Sequence, residues 1–259
     1  MLVDSHCHLT YPALREDQAG VIDRARAAGI GTMLGISTRV AEWDEVVGLA
    51  SVHADIWASV GVHPHEADAH PDINAVRLID AAAHDRVIAI GETGLDYHYD
   101  HSDRERQRVS FRAHVAAARA TGLPLIVHTR DAEADTAAIL TDEMGQGSFT
   151  GVIHCFTASA AFAEQALALG FYISLSGIVT FRNARDLQSV AAMIPNGRLL
   201  IETDAPFLAP VPMRGRPCEP AFVAHTAAFI AGLRGVEPAS IADTTTGNFF
   251  DLFTKARLP

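Results

Sequence analysis

Short apolar runs alternate along the chain with longer segments in which apolar residues recur at helical spacing. The apolar runs begin at Leu2, Gly31, Ile56, Arg86, Pro124, Thr150, Phe171 and Arg198. Between them, apolar positions three and four residues apart predict helices over residues 14–28, 40–51, 104–121, 132–144, 159–169 and 184–193. Repeated alternation of a strand with a helix predicts parallel strands joined by crossover helices, an α/β fold.

The number of repeats narrows the architecture. Eight units in 259 residues average about 32 residues each, the size of one strand-helix unit. We therefore expect a (β/α)8 TIM barrel that spans residues 1–259 as a single domain. The alternative, an open doubly wound sheet, would carry a glycine-rich phosphate loop after its first strand. Gly29 and Gly31 instead precede a strand, so the closed barrel is favoured.

Composition excludes several classes of protein. No stretch approaches the roughly 18 apolar residues of a membrane span, and the amino terminus lacks the pattern of a secretory signal. Three cysteines cannot all pair, so we expect a reduced, cytoplasmic protein. A net charge of −11 argues against coating of duplex nucleic acid through a broad basic surface, although a local cationic site is compatible with it.

Residues of the types that bind metals stand at the carboxyl ends of the predicted strands. They are His6, His8, His63, Glu92, His128, His154 and Asp204. Successive members are separated by about one or two strand-helix units, which would place them all on one rim of the barrel. Active sites of such barrels are built on that rim. A lone histidine on a strand is more often a structural residue, but the whole set predicts a metal centre. Strand alternation puts His6 and His8 on one face, with Cys7 in the core.

The donor types indicate how many metals this rim would hold. Imidazoles with carboxylates suit Zn, Mn, Fe, Co or Ni, whereas Mg alone is less well matched. Without His63, the set holds four histidines and two carboxylates, which is more than one tetrahedral ion needs. We therefore expect two divalent ions of unassigned identity. Such a pair clamps the attacking and leaving oxygens of a hydrolytic reaction. Some barrels that begin with the same HxH pattern bridge their metals through a carboxylated lysine. The only lysine here is Lys255, near the carboxyl terminus, so Glu92 is the available bridging carboxylate.

Motifs from end to end resemble those of the TatD family of metal-dependent deoxyribonucleases, within the amidohydrolase-like barrels. They are DSHCHL at Asp4, GVHPHEA at Gly61, GETGLDYH at Gly91, LPLIVHTRDA at Leu123, HCFT at His154, YISLSGIVTF at Tyr172, ETDAPFLAPVPMRG at Glu202 and NFFDLF at Asn248. One departure is RGRPCEP at Arg214, where Cys218 stands in place of the family's usual asparagine.

The resemblance implies roles for matching residues. One metal would be held by His6, His8, Glu92 and Asp204, and the second by Glu92, His128 and His154. Asp204 would also orient or deprotonate the attacking water, and His63 would face the scissile phosphate as an imidazolium. Arg130 and Arg214 are further candidates for phosphate contacts, and Glu202 and Asp96 are candidates for orienting the ligands. Histidines and tyrosines in the same motifs and the loop that follows are His65, Tyr97, His98 and His101. Cys155, beside His154, would point the other way and pack.

The expected activity is phosphodiester hydrolysis by a 3′-5′ exodeoxyribonuclease acting on single-stranded DNA ends. The lack of a basic track fits a pocket that seats one terminal nucleotide. Two alternatives remain open. The same dinuclear site could hydrolyse another ester or amide, such as the ester of a D-aminoacyl-tRNA, or the chain could be a non-catalytic metal-binding protein. DNA is thus the expected partner, with no membrane contact and no obligate protein partner.

Overall fold

The computed structural model of the protein describes residues 1–99 and 101–258 and contains one eight-stranded parallel sheet. Its strands pair in sequence order, each with the next. They are β1 (Leu2–Cys7), β2 (Ile30–Gly35), β3 (Ile56–Val60), β4 (Val87–Asp96), β5 (Leu125–Arg130), β6 (Gly151–Ile153), β7 (Tyr172–Leu175) and β8 (Leu199–Ile201). All eight predicted strands are present.

The sheet closes between β1 and the segment that follows β8. The backbone N–H of Asp204 donates to the His6 carbonyl (2.9 Å), and that of His8 donates to the Ala205 carbonyl (2.8 Å). Deeper in the seam, the Ser5 hydroxyl donates to the Ile201 carbonyl (2.9 Å). Eight parallel strands in consecutive order with first meeting last form a TIM barrel, which confirms the predicted fold.

Helices connect the strands on the outside of the barrel. They are α1 (Pro12–Arg15), α2 (Gln18–Ala27), α3 (Trp43–Val52), α4 (Ala75–Ala82), α5 (Arg104–Thr121), α6 (Glu133–Gln146), α7 (Ala160–Ala168), α8 (Arg185–Met193), α9 (Val223–Arg234) and α10 (Pro238–Leu252). The helix predicted over residues 14–28 is interrupted, because the backbone of Asp17 (φ −130°, ψ 40°) leaves the helical region. None of the helices over the described residues is long and apolar enough to cross a membrane.

An apolar cluster fills the end of the barrel opposite the candidate site. It takes a residue from every strand: Val3, Leu34, Trp57, Ile88, Ile126, Val152, Tyr172 and Leu200. Phe249 and Phe253 from the carboxyl-terminal segment join the same cluster, so α10 and the residues after it cover this end. With the amino-terminal ends of most strands packed in this way, the carboxyl-terminal rim is left for polar side chains.

Candidate metal centre

The seven predicted metal-type residues meet at the carboxyl-terminal end of the barrel. Three of them lie on β1, β4 and β5, and the other four lie in the turns that follow β1, β3, β6 and β8. The site opens into a cavity of about 650 Å³ lined by His8, His63, Glu92, His128, His154 and Asp204, with aromatic and polar residues at its mouth. His6 is fully buried against these residues.

Glu92 lies at the centre of this group, and its two carboxylate oxygens face different imidazoles. Its Oε2 atom is 3.3 Å from Nε2 of His6 and 3.9 Å from Nε2 of His8. Its Oε1 atom faces three other imidazoles, those of His154 (2.7 Å), His128 (3.2 Å) and His63 (3.5 Å). The carboxylate thus lies between His6 and His8 on one side and His128 and His154 on the other, with His63 next to the second pair.

Asp204 completes the set around Oε2 of Glu92. Its Oδ1 atom is 3.2 Å from Nε2 of His8 and 3.7 Å from Nε2 of His6. The backbone of Asp204 is left-handed (φ 57°), a strained conformation for a residue with a side chain, and it is held by the hydrogen bond to the His6 carbonyl. Burial raises the pKa of Asp204, but the hydrogen bond with His8 and the charges of His6, His8 and His154 together lower it, so the carboxylate is ionised at neutral pH.

Two further carboxylates fix the tautomers of His128 and His154. Oδ2 of Asp96 lies 3.2 Å from Nε2 of His128, and Oε1 of Glu202 lies 3.3 Å from Nδ1 of His154. A proton on each of these nitrogens leaves the opposite nitrogen, which faces Glu92, with a free lone pair. Such carboxylate partners commonly orient histidine ligands of metals. The positions of Asp96 and Glu202 match the orienting role suggested by the sequence.

The residues present fit bound metal ions. Within the described chain, both ring nitrogens of buried His6 and Nδ1 of buried His8 lack a hydrogen-bond partner, which is costly unless another species satisfies them. Three groups of residues each bring their donor atoms within 4.8 Å of one another. The groups are His6–His154–Glu202, His6–His8–Glu92 and His63–Glu92–His128. Imidazole and carboxylate donors at this spacing suit a transition-metal cation.

The electrostatics of the site also favour positive charge. Burial alone lowers the pKa of a histidine, yet the charges of Glu92 and Glu202 raise the pKa of His154 well above its ordinary value. The pKa of His8 is likewise raised, because its hydrogen bond with Asp204 and the charges of Asp204 and Glu92 together outweigh burial. Burial raises the pKa of Glu92, but the surrounding histidines hold it well below the usual range. The carboxylates therefore stay ionised in a buried site.

His63 takes a form different from the expected imidazolium. Burial lowers its pKa well below the ordinary histidine value, so its ring is neutral at neutral pH. Its Nδ1 accepts a hydrogen bond from the backbone N–H of His65 (3.1 Å), which puts the proton on Nε2. Nε2 lies 3.5 Å from Oε1 of Glu92 at the cavity wall. In this form His63 presents a neutral hydrogen-bond donor, rather than a positive charge, at the cavity wall.

Of the two candidate phosphate arginines, only Arg130 lines the cavity. Its guanidinium lies 4.8 Å from the ring centroid of Tyr99, and its acidic neighbour Asp131 binds His98 instead. The guanidinium of Arg214 lies over Phe181 at 4.0 Å, outside the cavity lining.

The remaining loop candidates divide in the same way. His65 lines the cavity and lies 2.8 Å from Asp96, and His101 packs against its ring. Tyr97 instead donates to Asp135 (2.6 Å), away from the cavity lining. His98 is exposed and binds Asp131.

Cys7 lies in the core as the sequence suggests, whereas Cys155 does not pack as expected. Cys7 and Cys218 are fully buried. Cys155 lines the cavity, with its sulfur 3.2 Å from the Ser176 hydroxyl. The expectation that strand alternation turns Cys155 into the packing is wrong, because β6 ends at Ile153 and Cys155 has a left-handed backbone (φ 44°).

Sequence reasoning missed several residues near the site. Asp4 is fully buried, and burial raises its pKa to about 8 while Thr203 donates to it through both N–H (2.9 Å) and hydroxyl (2.5 Å). It ties β1 to the segment that carries Asp204. Tyr99 and Phe207 stand exposed at the cavity mouth. Only Asp4 carried a sequence signal, since it shares the alternating face of His6 and His8.

Comparison with known proteins gives a consistent result. The family model described as TatD related DNase matches residues 3–254. The uncharacterized metal-dependent hydrolase YcfH of Escherichia coli strain K12 is 44% identical over 255 residues, covering 97% of this chain and 95% of the relative. A protein of Erwinia tasmaniensis named 3′-5′ ssDNA/RNA exonuclease TatD is 36% identical, covering 97% of this chain and 99% of the relative. Among solved structures, the TatD homologue YJJV of E. coli K12 superposes with a TM-score of 0.91 at 30% identity, covering 98% of each chain.

Proposed function

The chain belongs to the family of TatD-related DNases, and on that premise we propose that it is a metal-dependent phosphodiesterase that removes nucleotides from the 3′ ends of single-stranded DNA. The observation that carries the proposal is the divided contact of Glu92. One carboxylate oxygen faces His6 and His8 while the other faces His128 and His154, beside an open cavity. A carboxylate shared between two donor sets is the arrangement that two-metal hydrolysis requires.

We assign one divalent ion to His6, His8, Glu92 and Asp204, and a second to Glu92, His128 and His154. When bound, such ions lower the pKa of a coordinated water and offset the charge of the phosphate. Zn, Mn, Fe, Co or Ni match these donors best. Asp96 and Glu202 hold a proton on the far nitrogens of His128 and His154 through the contacts described above, so the nitrogens that face Glu92 would be the ones to bind a metal.

The protein groups around the cavity supply the proton transfers. The Asp204 carboxylate is ionised and partly exposed, so it can accept the proton of the attacking water. Attack on phosphorus breaks the bond to the 3′ oxygen of the preceding nucleotide, and that oxygen leaves with a proton. The Nε2–H of neutral His63 is the donor that faces the cavity, and it serves either the leaving oxygen or a phosphate oxygen.

The choice of a phosphodiester at a chain end rests on charge as well as on the family. Arg130 is the arginine among the cavity-lining residues, and its planar guanidinium suits one phosphate. With a net charge of −11 and one lysine, the chain offers little for a long duplex to bind. A terminal nucleotide needs only the cavity. The Erwinia relative, named as an exonuclease of ssDNA and RNA, supports this class of substrate.

Gel analysis of a 5′-labelled single-stranded oligonucleotide tests the proposal. The metal-reconstituted protein should shorten the labelled strand one nucleotide at a time. A chelator, or the substitution Glu92→Ala, should abolish this shortening. Glu164→Ala, an exposed substitution on α7, is the matched control and should behave as wild type. Endonucleolytic fragments would refute the exonuclease assignment. If the oligonucleotide stays intact with every metal while an aminoacyl-tRNA ester is hydrolysed, the site acts on that other ester and not on DNA.

A further inference from the structure

The most exposed aromatic side chains of the described residues both line the cavity above the candidate metal centre. Of the Phe, Tyr and Trp residues in 1–99 and 101–258, Tyr99 (43% exposed) and Phe207 (49% exposed) are the two that reach solvent to this extent. Exposed aromatic rings carry a solvation cost, and their coincidence at a catalytic cavity points to a ligand that covers them.

The two rings stand on opposite sides of the cavity. Tyr99 follows β4 and Phe207 follows β8, and these strands are four positions apart in a ring of eight. On the Tyr99 side, His65 packs edge-on against the Tyr99 ring at 5.6 Å, and His101 stacks on that ring at 5.4 Å. On the other side, Phe207 packs edge-on against Tyr11 at 6.0 Å, and Tyr11 stacks on His8 at 4.5 Å.

Each ring is attached to a turn that carries a site carboxylate. The backbone N–H of Tyr99 donates to Oδ1 of Asp96 (3.0 Å), the carboxylate whose other oxygen contacts His128. The backbone N–H of Phe207 donates to the carbonyl of Asp204 (2.9 Å). Both platforms are therefore fixed relative to the metal centre, which is what positioning of a substrate requires.

Charge around the Tyr99 ring identifies the kind of ligand. The guanidinium of Arg130 lies 4.8 Å from the Tyr99 centroid, so one face of the cavity mouth combines an aromatic surface with a phosphate-binding group. An aromatic ring beside a guanidinium matches one nucleotide, with its flat base and anionic phosphate. In a protein with few lysines, stacking supplies affinity that a basic groove would otherwise provide.

We propose that Tyr99 and Phe207 are stacking platforms for two nucleobases of a single-stranded substrate, one on each side of the metal centre. The inference rests on the proposed nuclease function and adds the means by which that site selects unpaired strands. A base can lie flat on a ring only when it is unstacked from its neighbours, which single strands allow and an intact duplex does not. Stacking is indifferent to base identity, so the preference is for single-strandedness rather than for sequence.

Kinetics with base-bearing and abasic substrates test the proposal. The variants are Tyr99→Ala, Phe207→Ala and the conservative Tyr99→Phe, with Val109→Ala on α5 as the exposed apolar control. Each is assayed on a single-stranded oligothymidylate and on the same strand with its two 3′-terminal bases removed. Loss of one stack should raise KM about tenfold on the base-bearing strand, with kcat nearly unchanged. Tyr99→Phe and Val109→Ala should keep the wild-type KM.

The abasic strand separates stacking from a general loss of structure. On it, wild type and both alanine variants should show equal KM values, because no base is present to stack. Equal KM for wild type and alanine variants on the base-bearing strand, or the same loss on both strands, would overturn the stacking role and leave the nuclease function intact. If wild type degrades neither strand, the proposed function fails and the inference fails with it.

Discussion

His114 provides a test of how the fold supports the site, because it is buried, neutral and bonded to the backbone next to His63. It lies on α5 and is fully buried. Its Nε2 accepts from the backbone N–H of Val62 (2.9 Å), and its Nδ1–H donates to the Ser110 carbonyl (2.7 Å). Burial lowers its pKa from 6.5 to about 4. Protonation would break the bond to Val62 and place an unpaired charge in the core.

The sign and size of the effect follow from these two pKa values. Because the unfolded state binds the proton more readily, the His114 contribution to stability is complete above pH 6.5 and is lost as the pH falls toward 4. At pH 5 the unfolded form is almost fully protonated and the folded form is almost neutral. The linkage relation then gives a loss of about 2 kcal/mol between pH 7.5 and pH 5.

Urea unfolding of wild type and His114→Gln, followed by fluorescence of the buried Trp43 and Trp57, measures this loss. The experiment is done with chelator present, so that metal binding does not change with pH. The other histidines titrate in both proteins, so the difference between the two pH dependences isolates His114. The wild-type free energy of unfolding should fall about 2 kcal/mol more than that of the variant. Parallel pH dependences would refute the assignment of His114 as a buried neutral residue.

Other predictions concern the metal ligands and the strands that hold them. Asp96→Asn should weaken metal affinity about 10- to 100-fold, measured by calorimetric titration, because it disturbs the orientation of His128; an unchanged affinity would remove the orienting role. Zinc should raise the melting temperature of wild type but much less that of Glu92→Ala; equal shifts would locate the binding elsewhere. Gly94→Ala should destabilise the protein by about 3 kcal/mol, because Gly94 has φ 132° and a Cβ there would overlap the His128 carbonyl oxygen. The control Gly48→Ala in α3 should not destabilise it. Equal melting temperatures for these two glycine variants would contradict the predicted strain at Gly94.

The strand order and the rim position of the site could be predicted because both follow from periodicity. Apolar runs fixed where each strand lies, and the carboxyl end of each run carried the polar residue that reaches the rim. The distances around Glu92 could not be predicted, because His6 and His154 come from strands far apart in sequence and meet only when the barrel closes. Motif resemblance supplied the division of ligands, which the two oxygens of Glu92 now support by geometry.

The side-chain positions that depend on local backbone geometry could not be predicted from the sequence pattern. Cys155 departs from strand alternation through its positive φ, and the tautomer of His63 depends on a backbone N–H two residues further along. Glu219, five residues after Arg214 in the sequence, binds Arg24 (2.8 Å) instead. Hydrophobic periodicity carries no information on these contacts, which form between loops after the strands are in place.

An anomalous difference map from crystals of the zinc-loaded protein tests the bridging role of Glu92 directly. Bridging predicts two peaks, one at each carboxylate oxygen of Glu92 and about 2.0–2.2 Å from its ligands. The first should contact His6 and His8, and the second His128 and His154. A single peak, or two peaks that do not share Glu92, would contradict the bridging role on which the proposed chemistry depends.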